Sequence, residues 1–153
     1  MQRIVPFIWY DGQAEQAAEY YTSLFPDSHI DHVTRTPDGQ TLVVEFTLMG
    51  QPYRAMDGGP GHPHTDAVSL QVDVEGQEEL DRVWDALLAD GGKPIACGWL
   101  VDRWGLSWQV TPANMMEIIT GNGDPEAGAR AFQAMMDMVK IDIRGLETAA
   151  AVH

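Results

Sequence analysis

The chain has 153 residues, 44% of them hydrophobic and 21% charged, enough to fold around a core of its own. Its 23 Asp and Glu against 9 Lys and Arg give a formal net charge of −14, the wrong sign for neutralising phosphates, so no nucleic-acid partner is expected. No apolar run approaches the roughly 18–20 residues of a membrane span, and the N-terminus lacks a cleavage signature, so the expected setting is the cytoplasm with no membrane partner.

Alternation over residues 3–10 predicts a strand. Ala14, Ala17, Ala18, Tyr21, Leu24 and Phe25 then fall at helical spacing. Three more strands are expected over 29–36, 41–49 and 53–57, separated by Pro37-Asp38-Gly39 and Gly50-Gln51. Residues 2–57 thus read βαβββ, and the Gly/Pro-rich stretch 58–66 is a connector.

The order then repeats. Val68, Leu70, Val72 and Val74 share one strand face, with Ser69, Gln71 and Asp73 on the other, and Leu80, Val83, Trp84, Leu87 and Leu88 keep helical spacing up to Gly91-Gly92. Strands over 94–101, 106–111 and 115–120 complete a second βαβββ unit over 67–120. The helix face of the first unit (Ala17, Tyr20, Tyr21, Leu24, Phe25) recurs 63 residues later, as expected of an internal repeat. The same offset sets Arg54 opposite Glu117. One appended helix is expected over 124–147, opening at Asp124-Pro125 and carrying a Phe132, Met135, Met136, Val139 stripe.

Three of the five tryptophans lie in CGWLVDRWGLSWQVTP, Cys97 to Pro112. Asp102-Arg103-Trp104-Gly105 reads as a hairpin turn, with Gly where φ is positive. Leu106, Trp108 and Val110 should pack under a helix, with Ser107 and Gln109 facing away. Trp104 should be partly exposed, and Trp99, on a face with Cys97 and Val101, is a candidate pocket wall. Cys97 is the sole cysteine, with no His near it in the chain, and is expected to be a buried, inert thiol.

The repeat and DRWGLSWQVTPANMMEI resemble the vicinal oxygen chelate superfamily of glyoxalases, bleomycin-resistance proteins and extradiol dioxygenases. PFIWYDGQAEQAAEYYTSLFPDS, GGP before AVSLQVD, the tryptophan hairpin and KIDI are similar to its PhnB-like subgroup, often labelled 3-demethylubiquinone 3-methyltransferase. The likeness runs from about residue 2 to 146. It implies an α+β fold, a single domain over 1–153 in which the two βαβββ modules form a curved mixed sheet around a cavity, usually as a homodimer.

Metal-dependent relatives of this kind hold a divalent ion with His or Glu from the first and last strands of each module. Here those positions fall on Ile4 or Pro6, on Ala67 and on Glu117, of which only Glu117 is a ligand, so no metal and no cofactor is expected. Glu117 becomes a candidate catalytic acid or base in a cavity, and Arg54 a partner for it or an anion anchor. His62 and His64 sit in a connector with little to orient their rings. Ser69, Gln71, Ser107 and Gln109, with Trp99 and Arg54, form the candidate binding set for a small-molecule ligand. Methyl transfer is disfavoured, because the Gly-rich pieces DGGPG and TGNGD follow late strands rather than opening a parallel α/β unit.

Overall fold

In the first half of the chain the alternating apolar residues form a four-stranded sheet. Strand β1 spans Phe7–Tyr10, β2 His29–Arg35, β3 Thr41–Leu48 and β4 Gln51–Asp57, in the order β1-β4-β3-β2, with β1 parallel to β4 and the other pairs antiparallel. Helix α1, Ala14–Leu24, buries Ala14, Ala17, Ala18 and Tyr21. The small alanines let the helix approach β3 and β4 closely, over Ile8, Tyr10, Val44, Phe46 and Ala55. Two tethers fix it. Asp57, the last residue of β4, accepts the Ala14 N–H at 2.8 Å and so satisfies one of the helix's unpaired N-terminal amides. Arg35 forks onto Glu15 at 2.9 and 3.1 Å, while the Thr41 hydroxyl donates to the same carboxylate at 2.6 Å.

The second half builds the same sheet order from different lengths. Strand β5 is Ser69–Val74, β6 Lys93–Pro94, β7 Trp99–Val101 and β8 Ser107–Pro112, arranged β5-β8-β7-β6 with β5 parallel to β8. Helix α2, Gly76–Leu88, buries the Leu80, Val83, Trp84 and Leu87 face read from its spacing, over Val72, Val110, Leu100 and Trp108. The computed structural model describes residues 2–151 and divides into two compact units between Pro63 and His64. Among the described residues no helix is long and apolar enough to cross a membrane.

The hairpin between β7 and β8 closes on a buried carboxylate. Asp102 is 3% exposed and accepts from Trp104 N (2.9 Å), Leu106 N (3.0 Å) and Trp108 Nε1 (2.9 Å). Its backbone bonds Leu106 and Gly105, and Gly105 takes the φ of +88° that the turn demands. Trp108 is 1% exposed, the core residue the alternation required, and Trp104 is half-buried.

Three expectations need correction. Residues 94–101 do not make one strand, because the chain turns between β6 and β7 and Cys97 adopts a left-handed φ of +56°. Residues 115–120 are not a strand either. Met115–Ile119 form a short helix, α3, with Met115 and Ile118 buried one turn apart and Met116 and Glu117 exposed. Pro112, which has no N–H to continue a ladder, ends β8, and the next amide, Ala113 N, bonds Val74 O at 2.9 Å.

Residues 124–147 split into α4, Pro125–Met136, and α5, Ile143–Ala151. Asp124 caps α4 through Glu126 N and Ala127 N. Between the two helices the backbone is used elsewhere: Cys97 N donates to Met138 O and Gly98 N to Val139 O, both at 2.8 Å, and Ile141 is fully buried. The Gln77 side chain of α2 bonds Ile141 O and Ile143 N, and Lys140 pairs with Asp81 at 3.0 Å. The Gln77 amide, then Lys140, hold the Asp81 carboxyl below the usual range.

Two outcomes follow from these contacts. Asp102→Asn turns one of the two acceptor oxygens into an NH2 donor facing a buried N–H and should lower unfolding free energy by about 1–3 kcal/mol in urea denaturation. Hydrogen bonds from Arg35 and then Thr41 lower the Glu15 pKa. A carboxyl with a depressed folded pKa adds stability above its unfolded pKa and loses it as the pH falls through the folded one. Wild-type protein should therefore lose more stability than Arg35→Met between about pH 6 and pH 3, read by urea midpoints at each pH.

Candidate functional site

Each sheet has one face under its helix and one face without it. In the second unit the strand registers fix the uncovered face row by row. Ser69 pairs with Ser107, which pairs with Val101; Gln71 pairs with Gln109, which pairs with Trp99; Asp73 pairs with Thr111. Period-2 alternation therefore brings together five residues singled out from the sequence: Ser69, Gln71, Trp99, Ser107 and Gln109.

Their side chains bond to one another. Gln109 Nε2 donates to Ser69 Oγ at 2.9 Å and Gln71 Nε2 to Thr111 Oγ1 at 3.0 Å, with Asp73 accepting from Gln71 and Thr111 at 3.3 Å. Ser107 and Thr111 are buried, Ser69, Trp99 and Gln109 half-buried, and Gln71 exposed. The result is a surface of neutral donors and acceptors, two of them carboxamides, beside an indole.

Next to these rows lies a cavity of about 480 Å³, walled by Ile95, Cys97, Trp99, Leu100 and Val101, with Ser107 and the exposed Asp66 also in its lining. Trp99 and Ser107 thus belong both to the polar rows and to the cavity. Cys97 is half-buried rather than buried, and its Sγ lies 3.8 Å from Met136 Sδ. Pattern reading missed Ile95, in the turn between β6 and β7, and Asp66, before β5, since neither segment carries a periodic signal, and Leu100, a residue of β7 itself.

Glu117 belongs to neither group. It is an exposed residue of α3, along a shallow groove with Asn114, Asn122 and Glu147. The expectation that it projects from a closing strand fails because β8 is the closing strand. Arg54 likewise has a different counterpart. Ala55 and Val110 are both fully buried at matching places in the two sheets, so the residue before each, Arg54 and Gln109, correspond. Arg54 pairs with Glu45 across β3 and β4, Nε to Oε1 at 3.1 Å. Both line a cleft of about 300 Å³ with Arg3, Asp31 and Tyr53, and burial pushes the Tyr53 phenol up.

Also in the first unit, the connector is strapped against β1. Trp9 Nε1 donates to Gly59 O at 2.9 Å, its ring meets His62 at 4.3 Å, and a Cβ on Gly58 would sit 2.1 Å from the indole. Gly58→Ala must displace Trp9 or the loop, and should shift and weaken the Trp9 indole N–H signal in NMR spectra while leaving the Trp108 signal in place.

A divalent ion does not fit the strand positions at which the resemblance would seek ligands. The uncovered faces of the first and last strands carry Phe7, Trp9, Arg54 and Met56 in one unit and Ser69, Gln71, Ser107 and Gln109 in the other. Among the described residues no three His, Cys, Asp or Glu side chains are gathered as a metal site would need.

Residues 2–111 match the family described as 3-demethylubiquinone-9 3-methyltransferase. A Bacillus cereus structure described as a putative 3-demethylubiquinone-9 3-methyltransferase, PhnB protein, is 35% identical, with a TM-score of 0.68 over 73% of this chain and all of that one. A Pseudomonas aeruginosa protein matches at 17% identity and a TM-score of 0.61, over 73% of this chain and 98% of that one. A glyoxalase/bleomycin resistance protein from Albidiferax ferrireducens T118 matches at 14% identity and a TM-score of 0.48, over 72% and 98%. No curated protein matches the chain. The family match over residues 2–111 and the 35% identical relative, covered over its whole length, agree: the chain belongs to the PhnB-like family that carries the 3-demethylubiquinone-9 3-methyltransferase label.

Proposed function

We propose that the protein binds a small organic molecule on the uncovered face of its second sheet, without a catalytic metal. The observation that carries this reading is the meeting of a half-buried indole, Trp99, with hydrogen-bonding Ser69, Gln71, Ser107 and Gln109 beside a cavity of about 480 Å³. A pocket with apolar walls and a few convergent polar groups is the usual form of a small-molecule site. Gln109 and Ser69 already hold each other at 2.9 Å, so a ligand would meet groups fixed in place rather than free side chains. The donor set at the strand positions, neutral or cationic throughout, supports binding without an ion.

Arg54, with Glu45, is a secondary anchor for a polar ligand group in the first unit. Glu117 stands outside this reading, because its groove is lined by other residues. A homodimer in the cytoplasm completes the proposal, on the strength of the family resemblance and the chain's composition.

The test is a thermal-shift screen of metabolite and drug-like libraries that includes S-adenosylmethionine and the Mn, Fe, Co, Ni and Zn ions. Saturable stabilisation by an organic compound, weakened about tenfold or more by Trp99→Ala or Gln109→Ala, is the expected result. Saturable stabilisation by S-adenosylmethionine would replace this reading with the chemistry of the family label, and stabilisation by a metal ion lost in Glu117→Gln would replace it with metal-assisted catalysis.

A further inference from the structure

The cavity of the second unit has a one-sided electrostatic character. No Lys or Arg is among its lining residues, which include one carboxylate, the exposed Asp66, the Trp99 indole and the imidazole of His64. Its other walls are Ile95, Leu100, Val101 and the Cys97 thiol. The nearest arginine in sequence, Arg103, is engaged elsewhere: its NH1 pairs with Asp90 at 3.2 Å and its guanidinium lies 4.9 Å from the Trp104 ring centre. The cleft in the first unit differs, with Arg3 and Arg54 in its lining. Around the whole chain, 23 acidic residues against 9 basic ones set a negative field.

These features select among ligands by charge. An anion entering this cavity would lose hydration and find no Lys or Arg in the lining to replace it. A neutral apolar molecule would gain only from burial. An apolar molecule carrying an ammonium group would gain from burial, from the face of the Trp99 indole and from the Asp66 carboxylate, while the protein's net charge would speed its arrival.

We propose that the ligand of this cavity is an organic cation with an apolar or aromatic body, bound with its charge between Trp99 and Asp66. The inference rests on the reading of this face as a small-molecule site and names the chemical class of its occupant. The neutral amides Gln71 and Gln109 are suited to hydrogen-bonding an uncharged polar part of the same molecule, since each offers both a donor and an acceptor.

Three probes separate the terms: phenyltrimethylammonium, its uncharged isostere tert-butylbenzene, and benzenesulfonate. Each is titrated into the full chain at physiological salt, with affinity read by isothermal titration calorimetry for every variant and the binding place read in Trp99-containing protein from the Trp99 indole N–H by NMR. The expected result is saturable binding of the cation about fivefold or more tighter than the isostere, with no binding of the sulfonate. Asp66→Asn should remove most of the cation's advantage and leave the isostere unchanged, and Trp99→Leu should weaken the cation more than the isostere. Equal or tighter binding of the isostere or the sulfonate overturns the cation class while leaving the small-molecule site in place. Saturable cation binding that ignores both substitutions overturns the site assignment. Failure of all three probes to saturate overturns the cation inference, and if the library screen is also empty the binding reading falls with it.

Discussion

Everything on the uncovered face of the second sheet depends on one buried carboxylate. Asp102 gathers two backbone amides and the Trp108 indole around the turn between β7 and β8. A charge this deeply buried is costly unless its lone pairs are used, and here three N–H donors use them. The same bonds set the strand register, and in a sheet a slip of one residue sends every side chain to the opposite face. With the register held, Trp108 goes under α2 while Ser107 and Gln109 go to the rows of Trp99 and Gln71. Asp102 is not itself among the residues lining the cavity, yet the turn it closes sets the faces of Trp99, Val101 and Ser107, which are.

Much of this was legible in the sequence because it depends on period alone. Helix faces such as Leu80, Val83, Trp84 and Leu87 repeat at 3.6 residues, and the polar rows of β5 and β8 repeat at 2, so both survive without knowledge of neighbours. What failed were short segments whose pattern fits two periods. In MMEIIT the apolar residues satisfy either a strand or one helical turn, and only the end of β8 at Pro112 decides between them. The break at residues 137–142 was hidden for another reason: its cause is a pair of hydrogen bonds from Cys97 and Gly98, some 40 residues away. Glu117 was misplaced by inheritance from the first of these errors, and so was its pairing with Arg54.

The two units share sheet order but not surface chemistry. At the matched position one carries Arg54, committed to Glu45, and the other carries Gln109, committed to Ser69. An ion pair and an amide–hydroxyl pair offer a ligand different contacts, the first a charged group and the second neutral donors and acceptors for an uncharged polar part. A repeat with unlike faces can divide labour between its halves, and fold likeness alone would not reveal that division.

The halves also differ in how they are finished. The first sheet is tied to its own helix by Asp57 and to its connector by Trp9. The second takes backbone bonds from Met138 and Val139, a side-chain clasp from Gln77 onto Ile141 and Ile143, and the buried Ile141 itself. During synthesis on the ribosome, the bonds that tie α1 and the connector to the first sheet can form once the connector has emerged. The second must keep Trp84, Leu100 and Trp108 from other encounters until some 40 more residues have followed Cys97 and Gly98 out, a delay of several seconds at ordinary elongation rates. The vulnerable interval in the life of this chain therefore lies late in translation, and it ends when the Met138–Ile141 segment docks.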